Sequence, residues 1–363
     1  MLAAWVHDLN PYAIRFGHSV YGIRWYGLAY LLGFLAGYWI VTWLTKPSAG
    51  RQLRMPTDRV ADLALAVCIF GVLIGGRLGY CLFYPQGHVL LGFTSEFPYW
   101  GVFKVWEGGM AAHGGVVFTI LTIIFWSKKN KFSVINVGDA VCMVVPLGLL
   151  FGRIANFVNG ELFGRIVAQP GEAAPWWAVK FPTEIVNGSN NAADPRVSQE
   201  AIFGVIDTVN RHISQANPMA VDIDITKPGA NSQLLELIRS GDQFAREQLA
   251  TILPARHPSQ LYEALLEGLL LFLIVWFVGR KWRKDGMAGG AFLTFYPIMR
   301  IAGEHFRVGD DPSKGFQWAQ QWGVSQGVLL SIPMFLVGLS FWIYWARKPA
   351  VVHPDPAQPA APA

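Results

Sequence analysis

Seven apolar stretches punctuate the chain, each reaching or approaching the roughly 20 residues needed to cross a bilayer core. They run from about Tyr26 to Thr45, Leu63 to Phe83, Val116 to Trp126 (with the small residues Gly108 to Gly115 before it), Ile135 to Phe157, Leu261 to Val278, Ala288 to His305 and Val324 to Trp345. The pattern predicts an all-α integral membrane protein of seven transmembrane helices. Gly33 and Gly37 form a small-xxx-small pair suited to close helix contact, and Pro297 stands where it would kink the sixth helix. Residues 1–18 set Leu2, Trp5, Val6, Leu9 and Ile14 beside polar neighbours and read as an interfacial arm. Helices 1–4 occupy 19–164, a soluble-looking insert 165–256, helices 5–7 occupy 257–348, and the Pro- and Ala-rich residues 349–363 read as a disordered tail. Within the insert, Gln233 to Leu249 has helical spacing, with Ser232 as its cap.

Composition supports a membrane protein: 53% of residues are hydrophobic and only 15% are charged, against about a quarter charged in soluble domains. The net charge of +5 is therefore read loop by loop, and is not a nucleic-acid signal. Lys46, Arg51, Arg54 and Arg59 follow the first stretch; Lys128, Lys129 and Lys131 the third; Arg280, Lys281, Arg283 and Lys284 the fifth; Arg347 and Lys348 the seventh. These are alternate loops, so the positive-inside rule orients the chain with its N-terminus outside and its C-terminus in the cytoplasm. The tail is then cytoplasmic. The insert, whose residues 166–256 hold ten acidic and seven basic residues, falls outside. Residues 1–18 lack the apolar core of a cleavable signal peptide. Cys68, Cys81 and Cys142 lie within apolar runs without metal-ligand spacing.

Orientation gathers the polar residues of the spans at the outer leaflet. Arg24 and Tyr26 open the first span, Arg77 lies in the outer half of the second, and His113 precedes the third in a glycine-rich run from Glu107 to Gly115. Arg153, Asn156, Asn159 and Glu161 end the fourth; Gln260, Tyr262, Glu263 and Glu267 open the fifth; Tyr296, Arg300, Glu304 and Arg307 end the sixth. Asp139 is the one charge placed in the inner half, near enough to the headgroups to be solvated. Arg153, Asn156 and Gly160 fall at i, i+3, i+7, and the glycines there would let a bulky headgroup approach the backbone. Tyr296, Arg300 and Glu304 form one stripe. Glu263 and Glu267 need cations beside them, and Arg77, Arg153 and Arg300 are the available partners. Glu263, Glu267 and Arg77 also fit a structural ion-pair network. Arg153 and Arg300 instead suit a phosphodiester, to which two guanidiniums present forked donors. His113 is either a satisfied hydrogen-bonding residue or a base.

The run Gly152-Arg-Ile-Ala-Asn-Phe-Val-Asn-Gly-Glu-Leu-Phe-Gly164 resembles the signature of the bacterial phosphatidylglycerol–prolipoprotein diacylglyceryl transferases. Supporting blocks are Ile23 to Gly27, Gly76 to Tyr80, the run around His113, His257 to Glu263, and Arg300-x-x-x-Glu304. The resemblance implies a multi-pass enzyme of the cytoplasmic (inner) membrane. Its partners would be membrane lipid, namely phosphatidylglycerol, and prolipoprotein signal peptides carrying a lipobox cysteine. It would move the diacylglyceryl group onto that thiol and release glycerol phosphate, with no metal or organic cofactor. By resemblance, functional roles fall to Tyr26, His113, Arg153, Asn156, Glu161, Gly164, Tyr296, Arg300 and Glu304. Residue chemistry adds Asn159, Arg77 and Glu263 on the substrate side. His113 is the first candidate base, with Glu161 or Glu304 second. The insert is longer than the family leads one to expect. The competing class, a lipid-binding protein or transporter, predicts polar residues across the midplane and an internal repeat, and the sequence offers neither.

Overall fold

Long apolar runs without internal breakers fold as helices because only a helix satisfies its own backbone in a bilayer. The computed structural model describes residues 4–15, 22–49, 52–83, 92–93, 95, 97, 99–104, 109–187, 197–216, 222–282, 284–308 and 324–349. The tail beyond 349, expected to be disordered, and the glycine-run residues 107 and 108 lie outside the described residues, as do parts of the N-terminal arm. Among the described residues, five helical stretches are long and apolar enough to cross a membrane: Trp25–Leu44, Arg59–Leu82, Val134–Asn159, Ser259–Lys281 and Gly327–Arg347. The third and sixth apolar stretches are also helical, at Ala112–Lys129 and Met287–Glu304, but are not among those five. Little of this apolar surface is covered: only 11% of the last span's apolar window is buried within the protein. Lipid, rather than core, has to solvate the remainder.

In chain order the strands are β1 (Trp5–Val6), β2 (Tyr12–Arg15) and β3 (Gly22–Arg24), then β4 (Ile166–Ala168), β5 (Val179–Lys180) and β6 (Ala255–Arg256). The helices begin with α1 (Trp25–Leu44), α2 (Arg59–Ala66), α3 (Gly75–Phe83), α4 (Ala112–Lys129), α5 (Val134–Cys142) and α6 (Val145–Asn159). In the insert are α7 (Glu184–Asn187), α8 (Gln199–Ala216), α9 (Ala230–Arg239) and α10 (Gln243–Ile252). The last are α11 (Ser259–Glu263), α12 (Leu271–Trp282), α13 (Met287–Glu304) and α14 (Gln326–Arg347). Wider, π-helical turns join α2 to α3 at Val67–Ile74 and α11 to α12 at Ala264–Leu270. The fourth span breaks between α5 and α6 because Pro146, in the first turn of α6, has no N–H to continue the ladder. By contrast, α13 runs continuously through Pro297.

The chain divides into two compact units. One comprises Met1–Gly33, Pro146–Ile274 and Leu293–Leu339; the other comprises Phe34–Val145, Val275–Phe292 and Ser340–Ala363. In the first unit, the N-terminal arm forms strands: β1 joins a four-stranded sheet of order β1-β5-β6-β4, and β2 pairs with β3. The insert has its own core. Ile202, Val205, Ile206 and Val209 recur at helical spacing along α8 and pack with Leu234, Ile238, Leu249 and Leu253. The helix expected from Gln233 to Leu249 is two helices. Gly241, at φ +100°, turns the chain between them, and Asp242 caps α10 through Ala245 N at 2.8 Å. The expected cap Ser232 lies inside α9, which instead begins after Gly229 at φ +98°.

In the second unit, the small residues of α3 and α4 allow near backbone contact. A Cβ on Gly79 would lie 2.5 Å from Gly114 Cα. Polar residues lock the loops between spans. Arg280 Nη1 donates to Ala49 O at 2.7 Å, Arg54 pairs with Asp285, and Asn136 accepts from Arg54 N at 2.9 Å. Lys284 Nζ donates to Lys348 O at 3.1 Å. All four basic segments thus fall in this unit, and three of them, after α1, after α12 and after α14, are tied together by these contacts. The expectation of a solvated Asp139 is corrected: it is 7% exposed and accepts from Gly286 N (2.6 Å) and Gly289 N (2.7 Å). The N-terminal end of α13 takes the place of water around its carboxylate.

These contacts predict opposite effects for two neighbouring substitutions. Gly79→Ala forces α3 from α4 and costs about 1–3 kcal/mol. Gly115→Ala meets open space and stabilises α4 by about 0.5–1 kcal/mol. Thermal unfolding in detergent checks both, and a neutral Gly79→Ala would contradict the contact.

Candidate functional site

The fourth span delivers its polar residues through α6, whose path is fixed by a close approach to the π-helical turn of the fifth. A Cβ on Gly268 would sit 2.7 Å from Leu150 Cα, so the two backbones nearly touch. One residue before Gly268 is Glu267, and three after Leu150 is Arg153. The contact therefore sets Arg153 against the carboxylates: Nη1 lies 3.0 Å from Glu263 Oε2 and Nη2 lies 3.2 Å from Glu267 Oε2.

From α13, Arg300 Nη1 reaches Glu263 Oε1 at 2.9 Å and Glu267 Oε1 at 3.4 Å, while its Nη2 lies 3.2 Å from Glu304 Oε2. Arg307 adds a third guanidinium 3.7 Å from Glu263 Oε1. Gly327 of α14 packs close to the Arg300–Glu304 pair. The side chains of Glu263 and Glu267 are fully enclosed, whereas Arg153 and Arg300 keep 17% and 12% of their side-chain surface. The carboxylates back the guanidiniums and hold their forks, and the remaining accessible surface belongs to the cations. Tyr296 and Tyr26 lie within electrostatic reach of Arg153: Tyr296 also feels Arg300, and Tyr26 feels Glu161.

Beyond α6 the chain turns sharply. Gly160 (φ +66°) and Leu162 (φ +56°) are both left-handed; for leucine that conformation costs about 1–2 kcal/mol. Gly160 therefore lies outside the helix and not on the face of Arg153 and Asn156, contrary to expectation. Nor do the loop glycines leave room for a headgroup. A Cβ on Gly160 would lie 2.9 Å from Thr183 Oγ1, and one on Gly164 would lie 2.7 Å from His257 Cβ. Gly152 does face open space. Glu161 accepts from Asn159 Nδ2 at 3.3 Å. Burial pushes its carboxyl above the usual carboxylate value, while the Asn159 bond and the charge of Arg24 pull it back down. Among the described residues, the enclosed oxygens Asn156 Oδ1, Asn159 Oδ1 and Gln260 Oε1 have no hydrogen-bond partner.

Tyr26, Arg153, Asn156, Asn159, Glu161, Gly164, Glu263, Tyr296, Arg300 and Glu304 thus fall in one unit, and Arg77 and His113 in the other. Arg77 was expected to bind substrate or pair with the carboxylates. It is 6% exposed and donates to Val102 O (2.9 Å), Gly101 O (2.8 Å), Gly109 O (3.0 Å) and Lys104 O (3.3 Å), tying that loop to α3. His113 stands exposed on the first turn of α4. The sequence reading missed His7, Thr183, Glu184 and Arg256. His7 is 4% exposed, and its Nε2–H donates to Phe157 O at 2.7 Å. Arg256 and Glu184 form an enclosed forked pair at 2.9 and 2.6 Å. Each acts across a long sequence separation and carries no local pattern.

A profile of the prolipoprotein diacylglyceryl transferase family matches residues 11–344. A phosphatidylglycerol–prolipoprotein diacylglyceryl transferase of Bdellovibrio bacteriovorus is 37% identical over 361 residues, covering 96% of each chain. Proteins of the same name from Bradyrhizobium diazoefficiens (34% identical, 94% of this chain and 93% of the relative) and Xylella fastidiosa strain M23 (33%, 98% and 99%) are similar over comparable spans. With such coverage, the 165–256 insert lies inside the matched region.

Burial lowers the pKa of His7 from 6.5 to about 4, outweighing its bond to Phe157. Its contribution to stability is whole above pH 6.5 and is lost as pH falls toward about 4, because there only the unfolded chain takes the proton. Linkage sets the loss at about 3 kcal/mol across that window. The thermal midpoint should fall more between pH 7 and pH 5 in the wild type than in His7→Asn. Equal slopes would show that His7 does not fold neutral.

Proposed function

The chain belongs to the prolipoprotein diacylglyceryl transferase family, and from that membership we propose how its residues divide the work. The enzyme transfers the diacylglyceryl group of phosphatidylglycerol to the lipobox cysteine thiol of a prolipoprotein. The cysteine sulfur forms a thioether to the glyceryl carbon, the carbon–oxygen bond to phosphate breaks, and glycerol phosphate leaves. The thiol gives up its proton, so proton and leaving group balance.

The observation that carries the assignment of roles is the pair Arg153 and Arg300, held from behind by the enclosed Glu263 and Glu267. Negative charge grows on the phosphate as the bond breaks. Guanidiniums already fixed in a water-poor site stabilise that charge without reorganising. Glu304 and Tyr296 steady Arg300. Tyr26, Asn156, Asn159 and Glu161 orient the headgroup: the partnerless amide oxygens of Asn156 and Asn159 suit the hydroxyl donors of a glycerol. The thiol, with an ordinary pKa of about 8.5, needs a base. His113 is the first assignment by residue type and resemblance. Glu161, whose burial makes it a stronger base than a free carboxylate, is the second. The residues assigned here call for no metal or organic cofactor.

The same reading places the protein in the bacterial cytoplasmic membrane with seven spans, α4 and α13 being the third and sixth. The N-terminus and insert lie outside and the C-terminus lies in the cytoplasm. Its support is the placing of the four basic segments in one compact unit, where three are tied together through Arg54, Arg280 and Lys284.

Two experiments test this. Purified protein, phosphatidylglycerol and a lipobox peptide should give a peptide heavier by a diacylglyceryl group, with Arg153→Ala and Arg300→Ala each slower by about a hundredfold or more. Transfer that survives Arg153→Ala removes that arginine from the clamp, and no transfer by folded wild type sinks the enzyme reading. For orientation, an impermeant maleimide on intact spheroplasts should label Ser240→Cys in the insert and not Ser48→Cys after α1. The reverse pattern would invert the topology.

A further inference from the structure

The sharp loop after α6 is gripped on nearly every carbonyl it presents. Thr183 Oγ1 donates to Gly160 O, Gln260 Nε2 to Glu161 O at 2.7 Å, Ser259 Oγ to Leu162 O at 3.1 Å, and Arg256 Nη1 to Gly164 O at 3.2 Å. The backbone continues the grip. Gly164 N donates to His257 O at 2.9 Å, and Arg165 N to Phe306 O at 2.9 Å. Gln260 and Ser259 belong to the fifth span, but Thr183, Glu184 and Arg256 are supplied by the insert. Arg256 is wholly enclosed. Its Nε and Nη2 are spent on Glu184, its Nη1 on the loop, and its guanidinium carbon stands 4.8 Å over the ring of Phe163.

A buried ion pair of this kind is weak as a source of stability but strong as a source of unique geometry, because its desolvation is recovered only when every donor is aligned. A leucine held at positive φ likewise persists only where surrounding contacts over-determine it. Both features converge on the five residues Gly160 to Gly164, which carry Glu161 and follow directly on Asn159.

We propose that Thr183, Glu184 and Arg256 are positioning residues for the transfer reaction, through which the root of the insert aims the Asn159 amide and Glu161 carboxylate at the substrate. This rests on the reading of Asn159 and Glu161 as substrate-facing groups. It gives the insert a role in the reaction itself: Thr183 and Glu184 lie where β5 leads into α7, and Arg256 ends β6, so folding of the insert sets the loop.

The test compares full-length wild type, Thr183→Ser, Thr183→Val and Arg256→Lys in the peptide transfer assay, with thermal midpoints measured alongside. Thr183→Val keeps the shape and removes the donor. Its kcat should fall about fivefold to tenfold, as expected for one lost hydrogen bond felt in the transition state. KM for peptide and lipid should stay within about twofold. Thr183→Ser restores the hydroxyl and should restore kcat. Arg256→Lys keeps charge but loses the fork, and should fall further in kcat; if it does not fold, the Thr183 pair decides. Wild-type kcat in Thr183→Val, equal losses in the valine and serine variants, or a loss confined to KM would each overturn the proposal. Wild type that transfers nothing would instead defeat the transferase reading beneath it.

Discussion

Two carboxylates with no access to solvent, Glu263 and Glu267, set the terms for the unit that holds the site. Moving a carboxylate out of water costs several kcal/mol unless it is paired and hydrogen-bonded. The fifth span can carry two of them one turn apart only because α6 and α13 bring guanidiniums to both. Each packing detail nearby serves that requirement: the Gly268–Leu150 approach, the π-helical turn over Ala264–Leu270, and Gly327 beside Arg300 and Glu304. With three glutamates facing three arginines, the network is balanced before any substrate arrives. On the proposed roles, an incoming phosphodiester would meet guanidiniums whose orientation is already fixed, and would compete with the carboxylates for them. Such competition favours whichever state carries more charge on phosphate, which in the transfer reaction is the state nearer to departure.

What the sequence made legible follows from what acts locally. The helices were readable because apolar length and helical spacing are short-range signals. Glu263/Glu267 and Arg300/Glu304 were readable as i, i+4 pairs, and the expected convergence with Arg153 is realised in the first unit. Their joint exclusion from solvent was not readable, since it depends on how three helices pack. The same limit explains the misreadings. Asp139 looked like a carboxylate near headgroups because its partners, Gly286 N and Gly289 N, are main-chain groups roughly 150 positions away. Arg77 looked like a cation awaiting an anion, yet carbonyls of a loop some 25 to 30 residues on receive it. Backbone acceptors leave no trace in composition, so arginines and aspartates that use them are the ones a sequence reading misassigns.

The glycines show a related ambiguity. Gly160 and Gly164 suggested room for a ligand, but the space where their Cβ atoms would go is filled by Thr183 and His257, respectively. A glycine reports close approach of something, and only the fold says whether that something is substrate or protein. Here it is the protein. By admitting Thr183 and the strand ends, these glycines let the loop be bonded carbonyl by carbonyl, which is what holds Leu162 in a conformation it would otherwise leave.

An insert in the middle of a membrane enzyme need not be an accessory. On the proposed roles, the transfer chemistry needs Glu161 held within a fraction of an ångström, just past the point where α6 has ended. Membrane helices supply rigidity up to Asn159 and again from Ser259. Between those points some other element has to complete the loop's hydrogen bonds, and in water-poor surroundings those bonds cannot be left to solvent. The insert begins and ends at that gap. Its hydrophobic core runs from Ile185 to Leu253, directly between Thr183 and Glu184, at the start of α7, and Arg256, at the end of β6, which bond to the loop or to each other. On the proposed roles, the insert's own core is thus how the chain extends the rigidity of its helices past Asn159 to the residues assigned to the substrate.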